Sequence, residues 1–225
     1  MNSRTGRQAG PGRFVALEGG DGSGKSTQLG LLVARLRRDG WVDGPGRPRL
    51  VVTREPGGTE LGANLRQLVL HGGEVSPAAE ALLYAADRAQ HVAQVLRPAL
   101  ARGDLVISDR YLDSSIAYQA EGRGLPEAAI RQVNAVATGG LEPDLTILLD
   151  IDPGLAAARR AAPADRLEQA GREFHANVNR RYRELAAARP GAYAVVDATG
   201  PPDEVHARLW TAVRPLLTSP AGEAP

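Results

Sequence analysis

The chain has no cysteine among its 225 residues, which excludes disulfides, thiolate zinc sites and a cysteine nucleophile together. It has almost no net charge: 27 Lys and Arg stand against 26 Asp and Glu, a formal +1. No global basic field therefore argues for a nucleic-acid or membrane partner. No apolar run approaches bilayer-spanning length, and the N-terminal residues lack a signal-peptide apolar core, so a cytoplasmic protein is expected. The histidines, His71, His91, His175 and His206, show no metal-ligand spacing and read as surface or structural residues. What is present is an ordinary globular composition, 43% hydrophobic and 24% charged, sized for one large domain.

Residues 1–12 (MNSRTGRQAGPG) and 219–225 (SPAGEAP) are polar and rich in glycine or proline, and both ends are expected to be disordered. Between them, residues 13–218 read as a single domain. Short β-branched runs at 13–18, 49–53, 104–108, 145–150 and 193–197 predict strands. None alternates polar with apolar, so each is expected to be buried on both faces, as in a parallel sheet covered by helices. The spacing of Leu82, Ala85, Ala89, Val92 and Leu96 predicts one buried helix face within 77–100, and Val205, Leu209, Val213 and Leu216 predict another within 203–217. Pro126 fits the first turn of a third helix. Five strands alternating with helices predict an α/β domain with a doubly wound parallel sheet. The segment 39–48 (DGWVDGPGRP) reads as a turn-rich surface loop.

Residues 19–26 read GGDGSGKS and fit Gly-x-x-x-x-Gly-Lys-Ser, the phosphate-cradling loop of nucleotide-binding proteins. Gly19, Gly20, Gly22 and Gly24 let the backbone around Asp21 and Ser23 curl so that its N–H groups converge on one anion. The helix starting near Lys25, Ser26 and Thr27 adds its positive dipole end. Lys25 is expected to reach the β- and γ-phosphates of ATP, and the Ser26 hydroxyl to ligate Mg2+. A glycine-rich turn without a ligand is the alternative, and the strand before and helix after disfavour it. Asp109 ends an apolar strand, where such folds place a carboxylate near the magnesium shell; it also fits a plain helix cap. No Asn-Lys-x-Asp run is present to read guanine.

Arg54 and Arg110 both follow predicted strands, and ligands in this fold bind outside the carboxyl ends of strands. Two such guanidinium groups facing the loop suit an acceptor that already carries phosphate. A phosphate acceptor is largely ionised at neutral pH, so no strong general base is required. Ser115, Tyr118 and Gln119 fall at i, i+3 and i+4, and Tyr84 and Arg88 at i and i+4. Each set could read a nucleobase or form a half-buried packing face.

The motifs EGGDGSGKST, TREPGGT, DRYLDSSIAYQ and DRLE, in this order and spacing, resemble the thymidylate kinase family of bacteria over residues 13–215. The resemblance implies a P-loop, nucleoside monophosphate kinase-like fold with a five-stranded parallel sheet. It implies Mg-dependent transfer of the ATP γ-phosphoryl group to dTMP for dTTP synthesis, and a homodimer. By the same resemblance, Arg54 and Arg110 hold the dTMP phosphate, Arg88 meets a thymine carbonyl, and Tyr84 stacks on the base. Ser115 and Gln119 reach the base edge, Tyr118 crowds a ribose 2′-hydroxyl, and Asp21 lies near the acceptor sugar or the magnesium shell. Residues 159–172 carry Arg159, Arg160, Arg166 and Arg172, and read as a solvated helix face or a mobile lid. Some relatives carry an arginine inside the phosphate loop where this chain has Gly22, so the lid is the expected source of the catalytic cation. Arg166 is the first choice, then Arg160 and Arg159; Glu168 matches a lid acid near the substrate. The competing readings are another nucleoside monophosphate kinase, a deoxynucleoside kinase, and an ATP-binding regulatory module without turnover. The loop 197–202 is the expected neighbour of adenine.

Overall fold

The computed structural model describes residues 12–159 and 170–218; the expectations for residues 1–11, 160–169 and 219–225 lie outside the described residues. Gly12, grouped above with the N-terminal extension, donates its N–H to the Leu100 carbonyl at 2.9 Å. The elements run β1 (Arg13–Glu18), α1 (Lys25–Arg38), β2 (Leu50–Arg54), α2 (Glu60–His71) and α3 (Pro77–His91). A π-helical stretch, Val92–Leu96, joins α3 to α4 (Arg97–Ala101), followed by β3 (Leu105–Asp109) and α5 (Leu112–Ser115). After a second π-helical stretch, Ile116–Gly122, come α6 (Glu127–Thr138), β4 (Leu145–Asp150), α7 (Pro153–Ala158), α8 (Arg172–Ala188), β5 (Tyr193–Asp197) and α9 (Pro202–Thr218).

All strand pairs are parallel, in the order β2-β3-β1-β4-β5. The chain leaves β1 for β2, returns through β3, then crosses to β4 and β5. The switch point thus lies at the carboxyl end of β1, where ligand crevices form in such sheets. β1 is the central strand and is covered on both faces, as its unbroken apolar run requires. Val15 and Leu17 pack with Leu32, Leu36 and Leu209 on one side. Phe14 and Ala16 pack with Val92, Leu96 and Tyr111 on the other, and the Phe14 and Tyr111 rings meet edge to face at 5.0 Å. Each fully buried leucine of this kind contributes roughly 1.5–3 kcal/mol of transfer free energy.

Three expectations need correction. The edge strands β2 and β5 are not buried on both faces: Val52 and Val195 are 43% and 55% exposed, because an edge strand has a neighbour on one side only. The helix from 77 buries only part of its apolar stripe: Ala85, Val92 and Leu96 are buried, whereas Leu82 and Ala89 are exposed. Beside Ala81 and Ala85, α3 buries Glu80, Asp87, Arg88 and His91, which find partners in the loop after β2 and the stretch after β3. The Gly57 N–H donates to Asp87 Oδ1, while Asp87 Oδ2 has no partner among the described residues. Pro126 stands one residue before α6 as its N-cap. The 39–48 loop is anchored from within: Val42 is buried, and Trp41 meets Trp210 at 6.3 Å. Among the described residues no helix is long and apolar enough to cross a membrane.

Candidate active site

The loop 19–24 leaves β1 and turns directly into α1. Gly24, the N-cap of α1, has φ 92 and makes no side-chain cap hydrogen bond. The first amides of the helix therefore have no side-chain acceptor at the cap, and they point at the position an anion occupies. Lys25 Nζ donates to the Gly19 and Gly20 carbonyls, both at 2.9 Å, which lays its ammonium along the loop. Burial, with Arg110 nearby, lowers the Lys25 ammonium to about 8 against the pull of Asp109, Asp21 and Glu18.

A cleft of about 490 Å3 opens over this loop, lined by residues 21–28, Arg54, Arg66, Asp109, Arg110 and Arg159, with Ala198, Gly200 and Pro202 at its far side. That volume suits a nucleotide. Arg54 and Asp109 are register partners at the ends of β2 and β3, so both meet the cleft, as expected for strand ends. Asp109 Oδ1 is buried with no hydrogen-bond partner among the described residues. Buried carboxylate oxygens are normally satisfied, so this atom fits the shell of a cation or its waters. Ser26, exposed at the start of α1, is the hydroxyl on the same wall.

Arg110 stands where the cleft narrows. Its backbone has φ 74, a conformation that non-glycine residues rarely adopt. Its guanidinium donates through Nη1 to Gly19 O at 3.1 Å, and to the Ser114 and Tyr182 hydroxyls at 3.2 Å. Through Nη2 it pairs with the Asp21 carboxylate and the Tyr118 hydroxyl. Burial would raise the Asp21 carboxyl, but Arg110, then Lys25 and the Tyr118 hydroxyl, outweigh it and hold it down at about 2. Burial also opposes the charge on Arg110, yet Tyr118, Asp21, Tyr182 and Asp109 raise it above the ordinary guanidinium value.

Beyond Arg110 lies a second chamber, walled by Pro56, Leu70, Tyr84, Arg88, Ser115, Tyr118 and Gln119 among others. The expected base-reading residues are all brought together there, although Ser115–Gln119 runs into a π-helical stretch rather than a regular α-helix. Arg88 is 1% exposed and largely committed. Nε donates to Glu55 at 2.8 Å, Nη1 to Ser115 and Asn134, and Nη2 to the Tyr111 carbonyl. A guanidinium has five N–H groups, so one Nη2 hydrogen is left among these partners. Removing one member of the buried Arg88–Glu55 pair would cost about 3–5 kcal/mol. Gln119 donates its amide to Glu80 at 2.9 Å. His91, also expected to be structural, sits fully buried between Glu55 and Thr53.

Four residues line both chambers: Asp21, Glu55, Arg66 and Arg110. Arg66 was not singled out in the sequence. It lies on α2, half-buried, and donates to the Pro56 carbonyl at 3.1 Å. Its only signal was an arginine within the amphipathic segment after TREPGGT. Glu18 was read merely as the end of a strand. Burial, aided by Asp113, pushes its carboxyl up to about 7 despite Arg110, Ser114 and the Tyr111 amide.

The thymidylate kinase family profile matches residues 17–209. A thymidylate kinase of Synechococcus sp. (strain JA-2-3B'a(2-13)) is 52% identical over 213 residues, 94% of this chain and 100% of its own length. Those of Deinococcus radiodurans and Leifsonia xyli subsp. xyli are 52% and 54% identical, over 90% and 88% of this chain and 96% and 93% of theirs. The chain belongs to the thymidylate kinase family.

The thymidylate kinase match spans both chambers, from Leu17 in β1 to Leu209 in α9. In this member of the family, Gly22 has φ 83, and a Cβ there would lie 2.2 Å from the Ala156 carbonyl oxygen. A side chain at that point requires α7 to shift and strains the backbone, so the arginine that some relatives carry in the loop has no room at 22 in this arrangement. Of the residues expected to form a lid, Arg160, Arg166 and Glu168 lie outside the described residues. Arg159 donates to the Ala198 carbonyl at 2.9 Å and the Gly200 carbonyl at 3.4 Å, joining the loop 197–202 to the wall of the first chamber.

Proposed function

We propose that the chain transfers the γ-phosphoryl group of ATP to the 5′-phosphate of dTMP in the cytoplasm, giving ADP and dTDP for dTTP synthesis. The observation that carries this reading is the shared boundary of the two chambers. Two anionic tails entering from opposite sides meet there against the guanidinium groups of Arg66 and Arg110, with Asp21 and Glu55 beside them.

In this reading the amides of residues 19–24 and the hydroxyls of Ser26 and Thr27 hold the ATP phosphates, and Lys25 exchanges its loop carbonyls for phosphate oxygens. Arg159 and the loop 197–202 face adenine. Arg110 and Arg66 grip the dTMP phosphate at the boundary, with Arg54 reaching it from the first-chamber wall; Tyr84 stacks on thymine, and Arg88 gives its remaining N–H to a thymine carbonyl. Ser115 and Gln119 border the base, and Tyr118 crowds the sugar where a 2′-hydroxyl would sit. Ser26 and the orphaned Asp109 oxygen suit Mg2+, which takes one or two protein ligands and completes its shell with water and phosphate. Bound there, Mg2+ supplies charge neutralisation across the transferred phosphates.

An oxygen of the acceptor phosphate, ionised above about pH 6, attacks the γ-phosphorus as the bond to the bridging oxygen of departing ADP breaks. No residue has to remove a proton from it. Catalysis is then alignment and charge cancellation, with Asp21 orienting Arg110 and lid arginines, Arg166 first and then Arg160, adding the last cation beside Glu168. A homodimer joined through α3 and α6 belongs to the same proposal. Its support is the apolar face formed by Leu82 and Val136, 59% and 87% exposed, with Ala86, Ala89 and Val133 between them.

A coupled ADP-release assay with dTMP, dUMP, dCMP, AMP and GMP tests the activity. Turnover with dTMP is expected to be highest, and dUMP to be disfavoured by about 10- to 200-fold, the worth of one methyl group in a pocket. ADP release that no monophosphate stimulates would refute the assignment.

A further inference from the structure

Glu18, the last residue of β1, is fully buried at the base of the site. Its Oε1 accepts the Tyr111 N–H at 2.8 Å and the Ser114 N–H at 3.3 Å. Its Oε2 accepts the Ser114 hydroxyl at 2.7 Å and the Tyr182 hydroxyl at 2.9 Å. The same two hydroxyls receive Nη1 of Arg110. A guanidinium only donates, and the Glu18 carboxylate only accepts once ionised, above about pH 7. Each hydroxyl between them can therefore turn its hydrogen to Glu18 and a lone pair to Arg110.

We propose that Glu18 is a positioning residue for phosphoryl transfer: through Ser114 and Tyr182 it aims the Arg110 guanidinium at the boundary between the chambers. Two further observations support it. The left-handed backbone at Arg110 persists only if its surroundings fix it, and β1 does so at both sides of the residue. Leu17 accepts the Arg110 N–H at 2.9 Å, while Glu18 accepts the amides that follow. Tyr182, moreover, comes from α8, which begins at Arg172 where the expected lid ends. The mount thus ties the acceptor arginine to β1 and to the helix that leaves the lid.

The proposal rests on Arg110 holding the acceptor phosphate, and one experiment separates the two claims. Wild type, Glu18→Gln and Tyr182→Phe are titrated above about pH 7, where the Glu18 carboxyl is ionised, with dTMP and, separately, with thymidine, which lacks the phosphate. Glu18→Gln keeps the shape but, with its amide nitrogen in place of Oε2, removes the acceptor of both hydroxyls. One can donate to the other across 2.8 Å, and the hydrogen of the second is turned toward Arg110. Its dTMP affinity is expected to fall about 10- to 100-fold, the worth of one hydrogen bond to a charged group. Tyr182→Phe should fall in the same direction by less, while thymidine affinity and the KM for ATP stay within about twofold. Equal losses for dTMP and thymidine mean a general structural role, and unchanged dTMP affinity in both variants means Arg110 is held without Glu18; either overturns the proposal. If Glu18→Gln does not fold, Tyr182→Phe alone decides by the same comparison. A wild type that binds dTMP no tighter than thymidine would instead refute the role of Arg110, and the proposal with it.

Discussion

Asp21 of the phosphate loop pairs with Arg110 of the turn after β3, and the Tyr118 hydroxyl donates to its other oxygen at 2.8 Å. The loop assigned to the donor nucleotide is thereby tied to the arginine assigned to the acceptor. Asp21 has a folded pKa of about 2 against an ordinary 3.8. A depressed carboxylate contributes stability that is full above its unfolded value and lost as pH falls through the folded one. The contribution is about 2 kcal/mol. Asp21→Asn is therefore expected to be less stable than wild type by at least this amount at neutral pH, and the linked part of the gap to close between about pH 4 and 2. Urea unfolding across that range measures it. A gap that does not change with pH would show that the pair carries no such linkage.

Arg66 belongs to the wall of both chambers, whereas Arg54 belongs to the first alone. Arg66→Ala should lower kcat/KM for dTMP by about 10- to 100-fold, the loss of a charge-assisted contact with phosphate. Arg66→Lys should recover only part, since an ammonium cannot bind two phosphate oxygens as a planar fork does. Steady-state kinetics with dTMP varied at saturating ATP decides it. A loss within twofold for Arg66→Ala would make it a bystander held by Pro56.

Lys25 offers a pH test. Its ammonium is lowered to about 8, so above that pH the free site holds mostly the neutral amine. ATP phosphates favour the charged form, and binding must then take up a proton. ATP affinity is expected to be full below about pH 7 and to fall as pH rises through 8, approaching tenfold per pH unit. Calorimetry at about pH 9 in two buffers of different ionisation heat should register uptake approaching one proton. Lys25→Ala should abolish it, and wild-type binding without uptake would contradict the lowered value.

The phosphate loop was legible because its backbone demands glycine, and glycine is visible in a sequence. The strands were legible because parallel strands in a covered sheet are nearly all apolar; β2 and β5 misled because edge position is a property of topology, not of the strand itself. Arg88 lines the second chamber as the i, i+4 pair with Tyr84 suggested, yet nothing local announced its partners. Glu55 and Asn134 lie 33 and 46 residues away, and such buried polar networks assemble only when the chain has folded. The same blindness hid Glu18, whose partners Ser114 and Tyr182 are 96 and 164 residues distant. α3 shows the converse: its apolar stripe was real, but Leu82 and Ala89 face outward, and its buried side takes Glu80, Asp87, Arg88 and His91 beside Ala81 and Ala85.

That outward stripe is the basis of the last prediction. Leu82 on α3 and Val136 on α6 border a face whose neighbours Ala86, Ala89 and Val133 are all apolar. Contiguous apolar surface on a globular protein marks an interaction site, and a two-fold dimer would pair this face with its own copy. A single introduced charge is then placed on both sides of the interface and left without a partner when buried, at a cost of about 3–5 kcal/mol. Val136→Glu should therefore shift the protein from twice the mass of one chain to a monomer in light scattering at micromolar concentration. Val136 is 87% exposed in the single chain, so the fold itself should tolerate the change, with a thermal midpoint that no longer depends on concentration. A wild type that is monomeric at tens of micromolar, or a variant that remains dimeric, would remove α3 and α6 as the contact.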